Sequence, residues 1–326
     1  MLSDVLTAMR GGRPHAARTR ARAPWGVRFP PGDGAGCHVI LQGSCWLMPA
    51  NGTPQALNVG DVVFLPGVTG YALADHPDSP VVEFRPRPDD GDAPLDQVRI
   101  DGAGPTATLL CAAYYFDHDR THPLLDELPE IIRLPAEVGR HTSLRATVEL
   151  LGRELATPQA GTTAILTSLI DMLLLFILRA WLDEQAARTP TGWAAIFNDP
   201  AMMSALRAIH THPERSWTVE ELAALAGMSR ATFAKRFATL AGRPPLTYLT
   251  WWRMTTAARL LREGDAPLRG IAEQTGYTSE FAFAKAFKRQ YGQAPGQYRR
   301  QTPGTDGQER PRPDRGSAYL LTSSSR

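Results

Sequence analysis

Only three lysines occur in the chain, Lys235, Lys285 and Lys288, and all lie in one short region of an otherwise Arg-based set of cations. Lys235 and Lys285 occupy the same place in a repeated Phe-Ala-Lys-x-Phe motif, 50 residues apart. An ammonium at such a position donates to guanine O6/N7 or to a phosphate oxygen. On a helix, Phe233 and Phe237 turn to one side and leave Ala231, Ala234, Lys235 and Ala238 on the other. Alanines there admit close approach and touch thymine methyls. In the second motif Phe283 and Phe287 turn inward while Phe281, Lys285 and Lys288 turn outward. Glu280, at the start of that helix, either accepts from cytosine N4 or simply answers the positive end of the helix dipole. Phe281 either meets a base methyl or packs on a neighbouring helix. Arg236, Arg253, Lys288 and Arg289 are the candidates for phosphate contact, with Arg259, Arg299 and Arg300 behind them.

These side chains need a scaffold, and the sequence carries it twice. Ser229, Phe233, Ala234, Lys235, Phe237, Gly242, Pro245 and Tyr248 recur 50 residues later as Ser279, Phe283, Ala284, Lys285, Phe287, Gly292, Pro295 and Tyr298. Leu222 and Gly227 recur at a spacing of 49 as Ile271 and Gly276. Each copy reads as helix, Gly-containing turn, second helix, the helix-turn-helix pattern. In the first copy Thr218 with Glu221 forms a capping box, Leu222 and Leu225 supply the buried face, Gly227 turns the chain and Ser229 caps the second helix. Residues 244–263 predict a connecting helix of about 28 Å, close to the ~34 Å of one DNA turn, so one chain reaches two adjacent major grooves. Charge follows the same division: residues 1–197 carry a net −6, residues 198–300 a net +7 and the tail +1. A basic module on an acidic one suits a polyanion partner.

Over residues 198–300 the sequence resembles the AraC family of transcription regulators, most specifically in IAEQTGYTSEFAFAKAFKRQYGQAPGQYR with its Phe-Lys-Arg-x-Tyr-Gly and Pro-x-x-Tyr-Arg elements. The resemblance implies seven helices, with Ala231, Ala234 and Lys235 in the first reading helix and Phe281 and Lys285 in the second at base-contacting positions. It also implies a duplex DNA partner, a homodimer, and RNA polymerase as a partner if the protein activates.

Upstream, CHVILQGSCWLM, ALNVGDVVFLP, GYALA, VVEFRP and TATLLCAAYYF over residues 37–116 read as short strands of a sandwich or barrel. Gly60-Asp61-Val62-Val63-Phe64-Leu65-Pro66-Gly67 resembles the second motif of cupin barrels, in which a metal-ligating His follows the Pro by five positions; here that position is Tyr71. His38 lacks the His-x-His and Glu that complete a divalent-metal site, so neither metal nor cofactor is expected. Similar regulators carry such a domain to receive a small-molecule signal and to pair subunits, and Trp25, His38, Trp46, Tyr71 and Tyr115 are candidates for the effector pocket. The odd set Cys37, Cys45 and Cys111 argues against a secreted disulfide scaffold and leaves a redox role open.

Two segments invite other readings. Residues 164–182 approach spanning length, yet Asp171, Arg179 and a three- and four-residue apolar period favour a core or dimer helix over a membrane span. The Arg-rich stretch 10–28 weakly imitates a transit peptide, and no signal-peptide run precedes it, so a cytoplasmic chain is expected. The whole reads as a two-domain α+β protein. A cupin-like β-barrel with dimerisation helices fills 1–188, a linker 189–197, an all-α domain with two helix-turn-helix motifs 198–300 and a disordered tail 301–326. A cupin enzyme with a helical accessory domain would require metal, and an adaptor that has lost DNA binding would shift no duplex.

Overall fold

The computed structural model describes residues 1–9, 14–32, 34–67, 69–86, 95–116, 122–137, 139–188, 191–301 and 319–320. The chain divides into two compact units. One comprises Arg10–Phe116, Leu128–Trp181 and Arg312–Arg326; the other comprises Met1–Met9, Asp117–Glu127 and Leu182–Pro311.

The first unit is built on two sheets. Six strands order as β10 (Leu95–Ile100), β1 (His15–Arg22), β11 (Thr106–Tyr115), β3 (Gly34–Gln42), β6 (Val62–Leu65) and β12 (Ile132–Leu134). Five more order as β5 (Gln55–Leu57), β4 (Cys45–Pro49), β7 (Tyr71–Ala74), β2 (Gly26–Phe29) and β8 (Val82–Glu83). Period-two alternation places one set of side chains in a shared core: Ala21, Trp25, Val27, Ile40, Leu47, Leu57, Val63, Leu73 and Leu109 among them. The alternate residues of the six-stranded sheet are buried as well, because helices cover its other face. Tyr114 of β11 donates its hydroxyl to the Ile170 carbonyl at 2.9 Å and stands edge-on to Phe64, and Leu110, Val39 and Phe64 are buried. The covering helices are α3 (Thr142–Ala156) and α4 (Thr162–Arg188). Double burial explains the near-continuous apolar runs in β3, β6 and β11. Asp61, only 4% exposed, locks the motif that resembled a cupin turn: it accepts from the amides of Asn58 and Ala136 and pairs with Arg133 at 3.0 Å.

The described sheets share a core without closing into the expected barrel, since no ladder joins one sheet to the other. The first strand also starts earlier than expected. Residues 15–22, in the Arg-rich stretch, form β1, paired with β11 on one side and β10 on the other. Its buried positions are alanines, too small to register as a strand signal. Helix α4 is long and apolar enough to cross a membrane, but 56% of its most apolar window is buried inside the protein.

The second unit is helical. It holds α1 (Leu2–Met9), α2 (Pro123–Asp126), α5 (Gly192–Phe197), α6 (Pro200–Thr211), α7 (Val219–Leu225), α8 (Arg230–Ala241), α9 (Pro245–Glu263), α10 (Leu268–Gln274), α11 (Glu280–Tyr291) and α12 (Pro295–Gln301). Residues 198–300 thus contain the seven helices that the resemblance implied. The domain limits differ from expectation. Residues 192–197, read as linker, form α5, whose Trp193 is fully buried and donates its amide to the Glu127 carboxylate at 2.9 Å. The polar Thr-Pro-Thr-Gly approach hid an apolar turn, and α1 and α2 likewise belong with this unit rather than with the sheets. Of the tail, Gln301 ends α12 and residues 302–326 lie outside the described residues apart from β13 (Tyr319–Leu320), which pairs with β9 (Arg85–Pro86).

Candidate nucleic-acid interface

Each helix-turn-helix copy is set by its caps. Thr218 accepts from the Glu221 amide at 3.2 Å while the Glu221 carboxylate accepts from the Thr218 amide at 2.8 Å, so the capping box of α7 is complete. Ser229 caps α8 by accepting from the Thr232 amide, and Ser279 caps α11 by accepting from the Ala282 amide. Leu222 and Ala223 carry the buried face of α7, whereas Leu225 is 45% exposed because α7 ends there and the chain turns away. In α8, Phe233, Phe237 and Ala241 are buried. Ala231 and Lys235 are exposed on the opposite side and Ala234 is half-buried. In α11, Phe283 and Phe287 are buried, while Glu280, Lys285, Lys288 and Arg289 are exposed. Phe281 is 81% exposed, which removes packing on a neighbouring helix as its role.

The four phosphate candidates separate. Lys288 and Arg289 are exposed on the solvent side of α11. Arg236 pairs with Asp199 at 2.6 Å; Asp199 is the cap of α6, so this guanidinium ties α8 to α6. Arg253 is engaged inside the unit, donating to the carbonyls of Pro213 and Arg215, and is corrected from a phosphate contact to an internal support. Its mid-helix position in α9 read as a phosphate contact because the loop it holds is remote in sequence.

In the sheet unit, two of the pocket candidates, His38 and Tyr71, are in contact. His38 Nε2 lies 2.6 Å from the Tyr71 hydroxyl and Nδ1 lies 3.2 Å from the Cys111 thiol. Phe29 stacks on Tyr71 and contacts His38 and Phe84. Gly36 makes this possible, since a Cβ there would collide with the Tyr71 hydroxyl. Burial lowers the His38 pKa from 6.5 to about 3, so the imidazole is neutral. Burial also raises Cys111 to about 11 and Cys45 to about 12, and pushes Cys37 up further. All three thiols stay protonated, which opposes a reactive thiolate. Trp25 is a core residue with its Nε1 donor unpaired. Tyr115 lies at the end of β11 against His15. Trp46 is corrected: it points to the face of β4 opposite Cys45 and Leu47, away from the shared core. Strand parity could not decide its face from sequence. Among the described residues no group of three or more His, Cys, Asp or Glu is placed to hold a metal ion.

A family described as Cupin matches residues 1–183, and a family described as Helix-turn-helix domain matches residues 222–301. An AraC-like transcription regulator of Streptomyces lividans is 35% identical over 303 residues, covering 92% of this chain and 97% of that protein. The chain belongs to the AraC family of transcription regulators. A second AraC-like regulator, from Streptomyces antibioticus, is 34% identical and covers 92% and 98% of the two chains. A crystal structure of the AdpA DNA-binding domain in complex with a target DNA is 38% identical, covering 32% of this chain and 92% of that one at a TM-score of 0.30.

This AraC-family protein also contains a buried polar chain that sequence reading missed. Nδ1 of His122 accepts from the Leu124 amide at 3.0 Å, so Nε2 carries the proton and donates to the Tyr248 hydroxyl at 3.0 Å. Tyr248 in turn donates to His210 Nε2 at 2.8 Å. That leaves the His210 Nδ1 proton facing Asp4 of α1 at 3.8 Å, an ion-pair distance rather than a hydrogen bond. Burial holds the pKa of both imidazoles below the usual value, against the pull of Asp4 on His210. Trp193, Trp251 and Trp252 wall the chain. Isolated His residues in a sequence carry no sign of such pairing, and only the repeated Tyr248/Tyr298 hinted at a buried hydroxyl.

Proposed function

We propose that this AraC-type DNA-binding transcription regulator grips a bipartite duplex site, α8 entering one major groove and α11 the next. The observation that carries the reading is the pairing, in both helices, of a buried Phe face with an outward face bearing Lys235 or Phe281 and Lys285. Ala231, Ala234, Lys235, Glu280, Phe281 and Lys285 read bases; Lys288 and Arg289 meet phosphates. Arg236 joins them only by releasing Asp199. The double variant Lys235→Ala/Lys285→Ala tests this on duplexes enriched from a random pool: binding weakens and the salt slope falls by about 0.9 for each lysine that met a phosphate. Unchanged affinity and slope overturn the assigned faces.

The sheet unit, in this reading, receives the signal at the His38–Tyr71–Cys111 cluster. A small, largely apolar effector with one polar group suits the aromatic wall of Phe29 and Phe84, and the unpaired Trp25 Nε1 offers a further donor. The protonated thiols favour such a ligand over a redox signal. The protein acts as a cytoplasmic homodimer without catalytic activity, and it contacts RNA polymerase if it activates.

A further inference from the structure

The two turn glycines of the duplicated motif have different surroundings. Both have positive φ, +63° at Gly227 and +76° at Gly276. A Cβ on Gly227 would meet nothing within 4 Å. A Cβ on Gly276 would lie 2.5 Å from Arg253 Nη2 and 2.6 Å from the Glu214 carbonyl oxygen. The turn of the second copy is therefore a site of close approach as well as a turn, and what approaches is Arg253 with the loop between α6 and α7.

Arg253 lies midway along α9, the helix joining the two copies. Its Nε donates to the Pro213 carbonyl at 2.6 Å and Nη2 donates to the Arg215 carbonyl at 2.9 Å. Arg215 in turn pairs with Glu221, the residue that completes the capping box of α7, and lies 4.0 Å over the Trp217 ring. On its other side the Arg253 guanidinium is 5.9 Å from the centre of the Tyr277 ring, and Tyr277 packs edge-on against Phe283 of α11. One planar group thus touches the start of the first copy and the turn of the second. Its pKa is lowered by burial, with Tyr277 and Glu214 pulling the other way.

From this we infer that Arg253 is a positioning residue, which fixes the angle and spacing between α8 and α11 and so sets the separation of the two half-sites that one chain reads. A guanidinium suits the task because its planar fork makes several directed bonds at once, which a lysine cannot reproduce. The inference rests on the two-groove reading above.

The test uses the full chain and duplexes selected from a random pool by the wild-type protein, together with each half-site alone and bipartite duplexes with one base pair added or removed between the halves. For Arg253→Met, each half-site is expected to bind within twofold of wild type, whereas the bipartite duplex loses at least tenfold and the preference for one spacing flattens. The salt slope stays at the wild-type value, because no phosphate contact is removed. A slope lowered by about one, or an equal loss on half-sites and bipartite duplex, overturns the inference in favour of a phosphate contact or a general folding role. Should Arg253→Met fail to fold, Arg253→Lys and the pair Gly276→Ala and Gly227→Ala decide: both glycine variants carry the same backbone strain, and only Gly276→Ala is expected to lose spacing preference. Equal behaviour of the two glycine variants overturns the inference. A wild-type chain that gains nothing from joining the halves overturns the two-groove reading and this inference with it, while a gain retained by Arg253→Met overturns the inference alone.

Discussion

At the scale of single residues, exposure separates side chains that hold the fold from those free to touch a partner. Phe281 is 81% exposed on a helix whose other phenylalanines, Phe283 and Phe287, are buried, so the folded unit gains little from it. Phe281→Ala is expected to leave unfolding free energy within about 0.5 kcal/mol while weakening binding to a selected duplex several-fold. Matched losses in denaturation and in binding would sink that assignment. His38 makes the opposite case. Its pKa falls from 6.5 to about 3 on folding, so the unfolded chain binds more protons across that window. The stability tied to its neutral form is full above pH 6.5 and is lost as pH drops towards 3. Of the groups facing it, the Tyr71 hydroxyl and the Cys111 thiol, burial keeps the thiol protonated across that window. His38→Gln is expected to show a shallower fall in urea midpoint between pH 7.5 and 4.5 than wild type. Parallel curves would remove His38 as a source of acid sensitivity.

At the scale of elements, short helices depend on their ends. Helix α7 has seven residues, too few to stand on propensity, and both halves of its capping box are formed. Thr218→Ala is expected to lower stability by about 1 kcal/mol and to reduce DNA affinity only as far as the helical unit unfolds. Denaturation of the purified variant checks the first part, and duplex binding well below the melting temperature checks the second. The capping pattern Thr218-x-x-Glu221 was readable in sequence because it depends on residues three apart. The exposure of Leu225 was not, because the helix end that turns it outward is set by the packing of α7 on α8.

At the scale of the molecule, charge and apolar surface are distributed unevenly. The basic segment carries all three lysines. On the sheet unit, Ile165 and Met172 of α4 are 45% and 41% exposed and lie seven residues apart on one helix face, with Leu150 of α3 at 49%. A proposed homodimer would bury this stripe. Met172→Glu is expected to shift sedimentation towards a single chain and to leave binding of one isolated operator copy intact. A variant that sediments as wild type would remove α4 from the interface.

The sequence by itself determined the duplicated helix-turn-helix, its caps, its inward phenylalanines and its outward lysines. All of these follow from helical periodicity and local hydrogen bonding within a few residues. It also showed a strand-rich segment followed by helices, through composition and turn signals. Only the tertiary structure decided which residues meet across long separations: His38 with Tyr71 and Cys111, His122 with Tyr248 and His210, and Arg253 with the loop at residues 213–215. It alone turned Trp46 away from the core, made residues 192–197 a helix and recruited α1 and α2 to the helical unit. Such pairings join residues tens of positions apart, and nothing in local spacing records which distant backbone carbonyl or side chain will complete a buried donor.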